Sequence, residues 1–213
     1  MNLRNKYTNF IEGLCKFIFN RLMQKFFQSL GDIELFIASL NSHHSFKCLH
    51  CSAQGHFVSH GFVYKQYSSA DKQAVGKRIV CSNRYGHSGC GRTYQLMLAE
   101  QLPSRRYRVT QLNVFILLLL SHLSVCCAYQ QATGQDSTRH AWRWLKQLKS
   151  KLMDYRGYIV KLGLFEPDKE MPLLLIKTKR RAHPVFDTLA QLFSAKQFTS
   201  CADFQIQQQL AFI

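Results

Sequence analysis

Cys48-Leu49-His50-Cys51, followed after 29 residues by Cys81 and after eight more by Cys90, is the stretch on which the reading of this 213-residue chain turns. Two close pairs of thiols on separate turns suit an ion that takes four thiolate or imidazole ligands in a tetrahedron. The first pair has the tight Cys-x-x-Cys form. The second encloses Ser82-Asn83-Arg84-Tyr85-Gly86-His87-Ser88-Gly89, so two ligand sets compete: Cys48, Cys51, Cys81 and Cys90, or a set in which His87 pairs with Cys90 and Cys81 is only a strand residue. Four cysteines are preferred, because Cys81 ends a β-like run and the Gly-rich insert can loop out. His50 and His56 read as surface histidines. The expected cofactor is one structural zinc ion, and in a module of about fifty residues it would supply folding energy on the order of 10 kcal/mol. A redox pair, free thiols and a catalytic zinc are the weaker readings; the last needs an open coordination position and a nearby base, and this segment has few acids.

The surrounding sequence supplies a small β module. From Phe46 to Tyr94 the β-forming runs Phe57-Val58, Gly61-Phe62-Val63-Tyr64, Arg78-Ile79-Val80 and Thr93-Tyr94 alternate with glycine-marked turns. Upstream, Phe10, Leu14, Phe17, Ile18, Leu22, Phe26 and Leu30 recur at helical spacing and predict an amphipathic helix over 7–30, ended near Gly31, that packs on a core or forms a homodimer. Asp32 to Leu40 adds a second short helix. Downstream, the pattern predicts helices over 111–123, 125–132 and 138–155, and two short ones at 185–197 and 201–212 in a tail broken by Gly163, Pro167, Pro172 and Pro184. The expected segments are 1–44, 45–108, 109–157 and 158–213.

Twenty-eight Lys and Arg against twelve Asp and Glu give a formal charge of +16, which attracts polyanions. The charge recurs along the chain: residues 1–30 hold five basic and one acidic residue, 45–108 ten and two, 139–161 seven and one. Counterion release along a phosphate backbone suits that distribution. Met1 to Arg21 carries charges among its apolar positions, unlike a cleavable secretion signal, so a reducing compartment is expected for the eight cysteines. Val114 to Leu120 is seven apolar residues, well short of the roughly 20 that span a membrane, and no membrane partner is expected.

Residues 109–157 read as a helix-turn-helix unit. Ser124 caps a first helix, Thr133-Gly134 closes it, and Asp136 or Ser137 caps the next. In that second helix Trp142, Leu145, Leu148 and Leu152 form the apolar stripe, and Arg139, Arg143 and Lys146 a basic one. Trp144 lies off the stripe, to pack on the N-terminal helix or stack on a sugar, and Cys126 and Cys127 read as core. The candidate DNA contacts are Arg92, Arg105, Arg106, Ser137, Thr138, Arg139, His140, Arg143 and Lys146. The competing reading is a solvated face on a three-helix bundle.

Gly76-Lys77-Arg78-Ile79-Val80-Cys81, ending in Cys90-Gly91-Arg92-Thr93-Tyr94, resembles the second knuckle of the zinc ribbon that opens many bacterial insertion-sequence transposases. There an Arg-hydrophobic-Cys strand leads to Cys-Gly-Arg/Lys-Thr-aromatic, and a helix-turn-helix follows. The resemblance covers about residues 46–157, and the insert between Cys81 and Cys90 departs from the commonest short spacing. It implies an α+β, mainly α fold, with a β zinc ribbon between an N-terminal amphipathic helix and a three-helix unit. It further implies binding of a mobile element's terminal double-stranded DNA, a transposase or recombinase subunit as partner, a role in DNA recombination, and a cytoplasmic, nucleoid-associated location. The acids after Gly157 are Glu166, Asp168, Glu170, Asp187 and Asp203, too few for a two-metal carboxylate site in an α/β domain. No enzyme activity is therefore expected. The other class of function is a protein-interaction adaptor docking through the ribbon.

Overall fold

A computed structural model describes residues 24–42, 47–54, 57–67, 72–103, 105–163 and 184–213. Within them the chain is α+β, with seven helices and one four-stranded mixed sheet. It divides into two compact units, Met1–Leu98 and Ala99–Ile213.

In the first unit β1 (Gln24–Phe27), α1 (Leu30–Ser42), β2 (Phe57–Gln66), β3 (Lys72–Cys81) and β4 (Thr93–Leu98) follow in order. The sheet runs β1-β4-β3-β2, with β1 parallel to β4 and the other pairs antiparallel. One face packs Ile79, Cys81, Tyr94 and Leu96 against Ile33 and Leu40 of α1, with Phe57 and Cys48 completing the cluster. Lys77, on the same face of β3, pairs with Glu34 of α1.

The helix expected over 7–30 is corrected at its C-terminal end: residues 24–27 form a strand, and Gly31 lies inside α1 instead of ending a helix. The cause is a start signal. Ser29 Oγ accepts the Asp32 N–H at 3.1 Å while an Asp32 carboxylate oxygen accepts the Ser29 N–H at 3.0 Å, a reciprocal cap that begins α1 at Leu30. Phe26 is buried and Phe27 packs on Phe36 with ring centroids 5.2 Å apart. The remainder of the expected helix, and the homodimer contact assigned to it, lie outside the described residues.

The second unit contains α2 (Val109–Leu120), α3 (Val125–Thr133), α4 (Arg139–Ser150), α5 (Leu152–Lys161), α6 (Pro184–Ser194) and α7 (Cys201–Gln208). The single helix expected over 138–155 is two, separated at Lys151. Ser124 caps α3 by accepting the Cys127 N–H at 3.2 Å, and Gly134 closes it in the left-handed region with φ 67°. Neither Asp136 nor Ser137 caps α4; that position belongs to Thr138, whose side chain makes no capping bond.

The core of α4 also differs from the expected stripe. Ala141, Trp144, Leu145 and Leu148 are buried, and Trp142 is 58% exposed. Positions 141, 144, 145 and 148 have the helical period too, and a pocket of rings selects them: Trp144 lies edge-on to Tyr107, Phe115 and Tyr129 at centroid distances of 5.1, 5.2 and 5.3 Å. Cys126 is half-buried and Cys127 exposed, so neither is the core residue expected. No helix among the described residues is long and apolar enough to cross a membrane.

The tail belongs to this same core, through Val185, Leu189, Leu192, Phe204 and Phe212. Fully buried Gln205 acts as its clasp. Its amide NH2 donates to the carbonyls of Ala99 and Gln101, and its Oε1 accepts the Phe212 N–H at 3.0 Å. Gln205→Leu removes three buried hydrogen bonds, those to the carbonyls of Ala99 and Gln101 and that from the Phe212 N–H, at about 1 kcal/mol or more for each bond lost. We expect the variant to be about 3 kcal/mol less stable in denaturant unfolding followed by helical circular dichroism.

Candidate metal centre

Each pair of cysteines is held by a turn that closes on its own backbone. In the first, the Cys48 N–H donates to Ala53 O at 2.9 Å, the Ser52 N–H returns to Cys48 O at 2.8 Å, and Lys47 bridges to Gln54. Ser52, the residue after the second cysteine, sits in the left-handed region with φ 58°. The second turn copies this geometry in spite of its insert. Gly91, the residue after Cys90, has φ 73° and returns its N–H to Cys81 O at 2.8 Å. Only glycine adopts that conformation without cost.

The insert leaves and re-enters at one point, where the Gly89 N–H donates to Ser82 O at 2.8 Å. A Cβ at position 89 would stand 2.1 Å from that oxygen. Ser82 and Gly89 therefore occupy the two middle places of a Cys-x-x-Cys turn, and residues 83–88 form an excursion from it.

The result is a cage of four sulfurs, Cys48, Cys51, Cys81 and Cys90, all within 4.8 Å of one another, able to hold one metal ion. Cys48 Sγ and Cys90 Sγ are 3.6 Å apart, as are Cys51 Sγ and Cys81 Sγ. Sulfurs bound to an ion at about 2.3 Å in a tetrahedron stand about 3.8 Å apart, so the cage fits; a disulfide would need about 2.05 Å. Cys48 and Cys81 are buried, Cys51 and Cys90 exposed. His87 is not among the converging groups; its N–H donates to Arg84 O at 3.1 Å within the excursion.

Tyr94 ties the sheet to the cage. Its hydroxyl lies 3.0 Å from Cys48 Sγ and accepts the Leu49 N–H at 3.0 Å, while Phe57 packs edge-on to its ring. In the sequence Tyr94 is only an aromatic four residues past a ligand, a signal too weak by itself to reveal this task. Burial would push the Cys48 thiol up, but the Tyr94 hydroxyl and the backbone N–H groups of Cys51 and His50 outweigh it and hold it down to about 6. Burial pushes the Cys81 thiol up to about 12. Cys48 thus offers a thiolate at neutral pH, and an ion must displace the proton of Cys81.

The candidate DNA contacts fall in both units. Arg92 lies beside the cage, with Nη1 2.9 Å from His50 Nδ1. In the second unit Arg105 is half-buried and Arg106 exposed in the loop before α2. Ser137 is exposed, Thr138 is half-buried at the cap of α4, and His140 packs edge-on against Tyr107 at 6.5 Å. Arg139, Arg143 and Lys146 are exposed along one side of α4, where Trp142 and Lys149 join them.

Two outcomes test the cage. Cys81→Ser, or treatment with a strong chelator, should remove one bound metal equivalent per chain and collapse amide-exchange protection across β2 and β3 while α2 to α7 stay protected. Tyr94→Phe should keep the fold and weaken metal affinity about tenfold or more in competition with a chromophoric chelator, the usual cost of losing a hydrogen bond to a ligand. In comparisons with known proteins, no family model, no curated protein and no solved structure matches the chain.

Proposed function

We propose that the chain is a non-catalytic DNA-binding protein whose first unit folds around one structural zinc ion and whose second unit reads double-stranded DNA with α4. One observation carries the reading. Arg139, Arg143, Lys146 and Lys149 form an exposed cationic stripe on the side of α4 opposite its buried Ala141, Trp144, Leu145 and Leu148. A helix with one face locked in aromatic packing and the other lined with guanidinium and ammonium groups suits the major groove, where arginine meets guanine edges and phosphates. The helix before it, capped by Ser124 and closed by Gly134, supplies the first half of a helix-turn-helix.

Four thiolates with no place for water suit structural zinc in preference to catalytic zinc. The similarity of the second knuckle to those of insertion-sequence transposases favours a mobile-element setting: binding of element ends, or regulation, beside a transposase or recombinase subunit and close to the nucleoid. A second reading, an adaptor docking a protein of a nucleic-acid-processing complex, draws support from Val58, Phe62 and Tyr64, all more than 40% exposed on the edge strand β2.

The double variant Arg139→Ala/Arg143→Ala separates the two. Against duplexes selected from a random pool we expect its affinity to fall about a hundredfold, each arginine contributing about 1 to 3 kcal/mol. The salt dependence of binding should become shallower by about one unit for each of the two arginines that pairs with a phosphate. Unchanged affinity would remove α4 as the reading element and leave the adaptor.

A further inference from the structure

The chain has two tryptophans, and the fold gives them opposite surroundings. Trp144 is 1% exposed inside the ring cluster of the second unit, whereas Trp142 is 58% exposed. Arg139 stands three residues before Trp142 and Lys146 four after it, the spacings that share a helix face, and Arg143 is adjacent. The indole therefore lies inside the cationic stripe. Leaving so large an apolar ring in water forgoes the burial that usually holds tryptophan in a core.

Within an intact groove a protein reads base edges through hydrogen bonds, and an indole has one donor and no acceptor. Base faces in an intact duplex are covered by their stacked neighbours. A flat ring among cations gains most where a base face is free, since base–aromatic stacking contributes about 1 to 3 kcal/mol per base and is indifferent to base identity.

We infer that Trp142 stacks on an unpaired base, so that α4 binds most tightly to duplex DNA with a local break in pairing, the flanking arginines and lysines holding the phosphates on either side. The inference rests on the DNA-binding reading and adds to it the class of DNA preferred.

The test uses the full chain, a duplex that the chain selects from a random pool, and the same duplex with one central unpaired adenine. Wild type should bind the interrupted duplex about tenfold more tightly, measured by fluorescence anisotropy of labelled DNA. That ratio should collapse to about one in Trp142→Ala and be largely kept in Trp142→Phe, whose ring still stacks. Tryptophan emission should be quenched by the interrupted duplex in wild type and not in Trp142→Phe, because Trp144 is shielded. Equal wild-type affinity for the two probes, or a ratio that survives Trp142→Ala, overturns the inference alone. Absence of binding to either probe overturns it together with the reading on which it rests.

Discussion

Four sulfurs confined within 4.8 Å organise the first unit, because the two turns that bring them together set the register of β3 and β4 and hold Cys48 against Tyr94. Closing Cys81 onto Cys90 requires a bare Cα at Gly89 and a left-handed backbone at Gly91. Once closed, the turn fixes how the strands on either side must meet. Cys81 ends β3 and β4 starts at Thr93, so Val80 pairs with Thr93 and Ile79 with Tyr94. That register points Tyr94 back at Cys48 and at the backbone of the other turn. Ligand, strand and second turn thus form a closed loop of dependence, in which a bound ion would offset the repulsion among four thiolates.

The second unit is organised differently, around aromatic packing and one buried amide. Tyr107, Phe115, Tyr129 and Trp144 meet edge-on, an arrangement with directional preference that fixes the rotation of α4 about its own axis. Rotation decides which side chains α4 presents to solvent. With Trp144 inward, the outward face carries Trp142 among cations; with Trp142 inward, the indole would leave that stripe. Gln205, by holding Ala99 and Gln101 against the C-terminal turn at Phe212, binds the first and last residues of the unit to one core.

Several features were legible in the sequence for local reasons. The four cysteines announce themselves by residue type, and β-forming runs between glycines mark the sheet. Ser124 and Gly134 carry cap signals that need only their neighbours, and the stripe Arg139, Arg143, Lys146 follows from the helical period. The strand at Gln24–Phe27 was not legible, since Phe26 and Leu30 fit a helical repeat as well as they fit a strand and a helix joined by a cap.

The sequence by itself determined the chemistry: which side chains are candidates to bind an ion, which helix is cationic, and that the chain is mixed α and β. Tertiary structure alone decided between choices of equal local merit. Two tryptophans two residues apart both satisfy an apolar stripe, and only the pocket built by Tyr107, Phe115 and Tyr129, which come from other parts of the chain, selects Trp144. Likewise Cys81 and His87 are both able donors by type, and only the pinch between Ser82 and Gly89, with the pairing of β3 and β4, carries the sulfur into the cage and leaves the imidazole in the excursion.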